Sequence, residues 1–132
     1  MTLLWSVVLL SICSMIEPTS INFLEGNVSQ AQELAEESGK MVLVELYASW
    51  CASCRLMEET TFQSKRVVER VTTEFIAVRL DINELEGKLF AIEHNVQILP
   101  ALIIINSQGE IIGQVEKAIG NDEMIRLLDA CR

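Results

Sequence analysis

Apolar and polar residues run along this chain in short blocks whose period switches between two and about 3.6, the pattern of strands interleaved with helices. Met41–Tyr47, MVLVELY, is apolar on both faces except at Glu45 and reads as a buried strand. Phe75–Ile82, FIAVRLDI, reads as another, and Ala101–Ile105 as a third that starts after Pro100. Asn106–Gly109 is a turn that sends Glu110–Val115 back as a hairpin partner. Ile21–Phe23 is expected to form a short first strand. Helical spacing fills the intervals. Val28–Ser38 has Ala31, Leu34 and Ala35 as its apolar stripe, Asn27 or Ser29 as its cap and Gly39 as its end. A helix is expected from Cys51 to about Thr60, where good helix formers follow and Gly and Pro are absent. Phe62 and Val67–Val71 suggest a further helical piece. Glu84–His94 is a helix with Leu85, Leu89 and Ile92 on one face. Asn121 or Asp122 caps a last helix carrying Met124, Leu127, Leu128 and Cys131. The order β-α-β-α-β-α-β-β-α predicts an α/β fold with a central mixed sheet and helices on both faces.

At 132 residues the chain is long enough for one domain with a single core. A net charge of −9 argues against nucleic acid and anionic membrane surfaces as partners. Of the four cysteines, two form a tight pair and two lie near the termini, which is not the spacing of a disulfide scaffold. Leu3–Ile16 is almost continuously apolar and is followed by Glu17-Pro18-Thr19-Ser20. As a helix it would span roughly 21 Å, short of a bilayer core of about 30 Å. Residues 1–20 therefore read as a secretory signal peptide or a retained N-terminal membrane anchor, and residues 21–132 as the folded domain. No Lys or Arg precedes the apolar run. Leu10–Cys13 faintly resembles a lipid-acceptor site at Cys13, with Ile12 bulky where a small residue is wanted.

The chemistry concentrates at Cys51-Ala52-Ser53-Cys54, a dithiol at a strand-to-helix junction. Cysteines three apart on a helix share a face. The first sits where free N–H groups and the helix dipole favour a thiolate, and the second lies one turn in, suited to resolving a mixed disulfide. The rival readings are a structural disulfide, disfavoured for so closely spaced a pair after an exposure-prone Trp, and half of a zinc site, which needs two further ligands. His94 is the only histidine and no second C-x-x-C exists, so no metal and no cofactor is expected. Glu45 interrupts a buried strand, where burial raises a carboxyl pKa; a half-exposed strand face is the plainer reading of it. Glu58 follows Cys51 by seven residues and Cys54 by four, on the same helix face, where a solvated glutamate is equally natural. Cys131 continues an apolar stripe and reads as a core thiol. Arg79 and His94 have no assignable role at this level.

Trp50-Cys51-Ala52-Ser53-Cys54 after an apolar strand, with Ile98-Leu99-Pro100 later, resembles the thioredoxin family. The longer stretch ELYASWCASCRLMEETTF resembles more narrowly the C-terminal thioredoxin-like domain of the DsbD-type periplasmic thiol:disulfide interchange proteins. The resemblance runs from about Ile21 to the C-terminus and implies the thioredoxin fold. It also implies that Glu45 occupies the position of a usual Asp that moves protons during exchange, and that an acidic residue belongs at Glu58. Pro100 is then cis and faces the dithiol, the backbone before it, at Leu99, pairs with a substrate strand, and Trp50 flanks the sulfurs. Ala101 departs from the usual Thr. The expected function is an extracytoplasmic disulfide reductase acting on substrate proteins with disulfides, with a membrane-embedded thiol reductase as electron donor. An oxidase or isomerase on the same fold, and a metal carrier using the same two sulfurs, are the alternatives. Ionised Glu45 and Glu58 near Cys51 would oppose the helix dipole, so a reducing potential is expected.

Overall fold

The computed structural model describes residues 16–132. Nearly all of the apolar N-terminal run, and Cys13 with it, lies outside the described residues. Five strands form one sheet in the order β1-β3-β2-β4-β5. They are β1 (Leu24–Glu25), β2 (Met41–Tyr47), β3 (Phe75–Asp81), β4 (Ala101–Ile105) and β5 (Ile111–Val115). β1 and β2 both pair parallel to β3, whereas β4 runs antiparallel to both β2 and β5, so the sheet is mixed. The helices are α1 (Val28–Ser38), α2 (Ala52–Glu59), α3 (Lys65–Glu74), α4 (Leu85–Glu93) and α5 (Asn121–Ala130), with a 3-10 turn over Thr61–Gln63.

Side-chain alternation along the central strands builds two cores. Leu43, Ala77, Leu102 and Ile104 face α2, α3 and α5, packing on Met57, Val67, Val71, Met124 and Leu128. Val42, Val44, Val78, Ile103 and Ile105 face the other way, onto Ala31 and Ala35 of α1 and Phe90 and Ala91 of α4. β2 is thus covered on both faces, which explains its near-continuous apolar run. Asn27 caps α1 by accepting from the Gln30 N–H at 2.9 Å, and Gly39 ends the helix at φ 68°, the left-handed conformation glycine adopts without a Cβ penalty.

Three local expectations are corrected. The first strand is Leu24–Glu25, not Ile21–Phe23: Leu24 and Glu25 register with Val78 and Arg79, while Phe23 turns into the core edge-on to Phe62, ring centroids 5.3 Å apart. Leu85, Leu89 and Ile92 share a face of α4, but it is the solvent face; they are 71%, 56% and 77% exposed. Phe90 and Ala91 point inward instead, and Gly87 lies so close to the Asp81 carbonyl that a Cβ would collide with it. The N-cap of α5 is Gly120, with no side-chain cap; Asp122 and Glu123 occupy the first turn, where the helix dipole favours acidic groups.

Candidate active site

β2 ends at Tyr47, and the chain turns through Ala48 and Trp50 into α2. Cys51 is the N-cap of that helix and Cys54 lies in its first turn. The two are joined in a disulfide, with Cα atoms 5.3 Å apart. Cys51 Sγ accepts from the Cys54 N–H at 3.2 Å and lies 3.4 Å from Ser53 Oγ. A cysteine in the capping position thus directs its sulfur at one of the unpaired N–H groups of a helix start. Cys51 is 7% exposed and Cys54 2%, so the first cysteine is the more accessible residue. Trp50, directly before them, is 67% exposed.

The disulfide and Ala48 form a small apolar cluster onto which Tyr47, Ile82 and Leu99 pack. Leu99 arrives from the segment between α4 and β4, where the Leu99–Pro100 bond is cis and Pro100 is buried. The cis form and the approach of this segment to the dithiol agree with what the resemblance implied. Among the described residues, no three His, Cys, Asp or Glu side chains converge as a metal site.

The two glutamates meet through a residue that sequence reasoning left without a role. Glu45 and Arg79 are paired across β2 and β3 in register, on the sheet face that α2 covers. Arg79 donates from Nε to Glu45 Oε2 at 2.9 Å and from Nη1 to Glu58 Oε1 at 3.3 Å. Its guanidinium stacks 4.0 Å from the centroid of Tyr47, which itself packs against the sulfur cluster. Glu45 has no exposed surface, and its Oε1 has no hydrogen-bond partner among the described residues. Burial raises its pKa to about 7, against the lowering effect of Arg79. Burial works against the Arg79 charge as well, but Glu45 and Glu58 more than offset it and its pKa rises. Glu58 is half-exposed, one turn beyond Cys54. Arg79, Glu58 and Glu25 line a cavity of about 230 Å³ that reaches solvent beside this network. The sequence did carry a signal for Arg79. It is the lone cation in an apolar strand, as Glu45 is the lone anion in another, and only the register between the strands was missing. Cys131 is a buried free thiol whose pKa is raised by burial, as a core residue would be.

Residues 23–107 match the family model described as thioredoxin-like. A curated relative, the thiol:disulfide interchange protein DsbD of Yersinia pestis (strain Pestoides F), is 34% identical over 93 residues, covering 67% of this chain. The match spans only 16% of that much longer protein. Among solved structures, a thioredoxin from Thermus thermophilus superimposes with a TM-score of 0.73 at 20% identity, covering 81% of this chain and 85% of that one. The oxidised C-terminal domain of Neisseria meningitidis DsbD gives a TM-score of 0.69 at 23% identity, covering 78% of this chain and 90% of the other. The fold, the matched residues and the paired cysteines at the start of α2 lead to one conclusion: this chain belongs to the thioredoxin-like family of disulfide oxidoreductases, with Cys51 and Cys54 as its C-x-x-C pair.

Proposed function

We propose that this chain is an extracytoplasmic disulfide reductase that passes electrons to protein disulfides through Cys51 and Cys54. The observation that carries the reading is Cys51 at the N-cap of α2, its sulfur held by the Cys54 N–H. A thiolate there is favoured by the backbone donor and the positive end of the helix, and Cys51 is the more exposed of the two cysteines. In the reduced enzyme the Cys51 thiolate attacks one sulfur of a substrate disulfide. A Cys51–substrate bond forms, and the other substrate sulfur leaves as a thiolate that takes up a proton. Cys54 then loses its proton and attacks Cys51 Sγ. The Cys51–Cys54 bond forms, the mixed disulfide breaks, and the second substrate thiol is released. The substrate gains two electrons and two protons, and the enzyme dithiol loses them. Glu45, with a pKa of about 7, accepts the Cys54 proton near neutral pH. Glu58 and Arg79 hold Glu45 in its charge environment. Trp50, Leu99 and Pro100 form the surface on which the substrate chain lies.

The reducing direction is supported by the engagement of Arg79, the cation of the Glu45–Glu58 network beside the dithiol. A strongly oxidising dithiol has a stabilised thiolate. Here both hydrogen-bonding arms of Arg79 are engaged by carboxylates, and only Arg55, exposed on the outside of α2, carries another positive charge on that helix. The electron donor is a membrane-embedded thiol reductase, and residues 1–20 act as the export signal or anchor. Among the described residues no helix is long and apolar enough to cross a membrane. The test is a pair of variants assayed on insulin disulfides. Cys51→Ser abolishes turnover, and Cys54→Ser accumulates a long-lived mixed disulfide on non-reducing gels. An active Cys51→Ser beside an inactive Cys54→Ser would reverse the roles. Cell fractionation tests the compartment, and full-length protein in the cytoplasmic fraction contradicts it.

A further inference from the structure

The segment that brings Leu99 to the disulfide has little regular structure of its own. After α4 ends, His94–Pro100 contains no helix or strand, and Asn95 sits at φ 52°, a left-handed conformation uncommon outside glycine. Its start is tied to α4, where the Val96 N–H donates to the Ala91 carbonyl at 2.8 Å, and its later half is held from the far edge of the sheet. Glu116, the residue after β5, accepts with one oxygen, Oε1, from the Gln97 N–H at 2.6 Å and from the Ile98 N–H at 3.2 Å. Gln114, two residues earlier on β5, donates from Nε2 to the His94 carbonyl at 3.5 Å. These backbone hydrogen bonds hold the Glu116 carboxyl below the usual carboxylate range, the Gln97 bond contributing most. The next residue, Leu99, packs on the sulfur cluster, and a cis bond joins it to Pro100.

We infer that Glu116 is a positioning residue for disulfide exchange: its carboxylate clamps the Gln97–Ile98 backbone and so presents Leu99 and Pro100 to a protein substrate lying across Cys51. The inference rests on the proposed reductase reading and adds to it a residue 16 positions beyond Pro100 that touches neither sulfur. A charged acceptor shared by two consecutive N–H groups is a strong local constraint, because charge-assisted bonds are roughly twice as strong as neutral ones. It also fixes which N–H groups of the segment are unavailable to a substrate strand. The Gln97 and Ile98 N–H groups are occupied and Pro100 has none, so donation to a substrate strand from this stretch falls to the Leu99 N–H. A protein substrate needs this edge; a small aromatic disulfide needs only access to Cys51.

The test separates those two substrates. With insulin as the protein disulfide, Glu116→Ala raises KM about 10-fold with kcat changed less than about 2-fold. With 5,5′-dithiobis(2-nitrobenzoic acid) it reacts at the wild-type rate. Glu116→Gln keeps an oxygen acceptor and recovers most of the loss, and urea unfolding of both variants stays close to wild type. Amide exchange gives a readout that does not depend on turnover. In the oxidised protein the Gln97 and Ile98 amides exchange about 10-fold faster in Glu116→Ala, with β4 unchanged. Equal losses on both disulfides, an unchanged KM for insulin, or unchanged exchange at Gln97 and Ile98 would each overturn the inference. A wild-type protein that reduces neither disulfide, with the exchange effect intact, would instead overturn the reductase reading and leave the clamp standing.

Discussion

The residue that departs furthest from ordinary behaviour is Glu45. A fully buried carboxyl with a single guanidinium partner is caught between desolvation, which favours the neutral acid, and Arg79, which favours the ion. Desolvation prevails, and the pKa reaches about 7. In the unfolded chain Glu45 titrates near its ordinary value of 4.5, so between pH 4.5 and 7 the folded state binds more protons than the unfolded one. The Glu45 contribution to stability is therefore fully present below pH 4.5 and lost as pH rises through 7, by about 3 kcal/mol in all. Subtracting the urea-unfolding profile of Glu45→Gln from that of wild type isolates this slope; a flat difference across the window contradicts the assignment. Arg79 yields the complementary prediction. Arg79→Gln leaves Glu45 buried without its cation and costs about 3 kcal/mol at pH 8, and clearly less at pH 5, where Glu45 is already neutral. An equal loss at both pH values would mean that Arg79 contributes through packing on Tyr47 and Phe23 rather than through charge.

Among the elements, α4 shows where the pattern of apolar residues misleads. Its nine residues, LEGKLFAIE, are apolar on two sides, and the side with three aliphatic residues, Leu85, Leu89 and Ile92, is the one left in solvent. The inward side is chosen by fit. Gly87 must lie against the Asp81 carbonyl, and that rotation carries Phe90 and Ala91 into the core. Phe90→Ala therefore costs about 3 kcal/mol or more in urea unfolding, whereas Leu89→Ser stays within roughly 0.5 kcal/mol. A larger loss at Leu89 would place the opposite face inward. Elsewhere the elements were readable from local chemistry. Val28–Ser38 begins at an Asx cap and ends at a left-handed glycine, and both signals lie in the sequence. β2, β3 and β4 were readable as apolar runs between breakers. The dithiol and its place at the start of α2 were equally legible, as was the cis bond before Pro100 once the resemblance was recognised. What escaped was whatever depends on register or on long-range contact. Arg79 meets Glu45 only because β2 and β3 align those two positions, and Glu116 meets Gln97 only because β5 ends beside the Pro100 segment. Neither alignment leaves a periodic trace.

At the scale of the whole molecule, the fold places the Cys51–Cys54 disulfide at the start of α2, in a small apolar cluster beside the two packed cores. The sequence-level argument placed two opposing carboxylates near Cys51. The structure modifies it, since Arg79 joins them into a cluster whose net charge lies between −1 and 0 according to the state of Glu45. The direction of the effect survives. The Cys51 thiolate is supported by the Cys54 N–H, the Ser53 hydroxyl and the dipole of α2, but Arg79 is already engaged and the chain as a whole carries −9. The helix terminus is worth at most about 2 kcal/mol, too little to make a strong oxidant by itself. On the proposed reductase reading, the dithiol is therefore expected to act as an electron donor. Equilibrating the Cys51–Cys54 couple against defined glutathione or dithiothreitol buffers, and reading the oxidised fraction after acid trapping and alkylation, tests this most directly. The account predicts a potential near the thioredoxin value of about −270 mV. A value above about −180 mV, in the range of isomerases and oxidases, would contradict it.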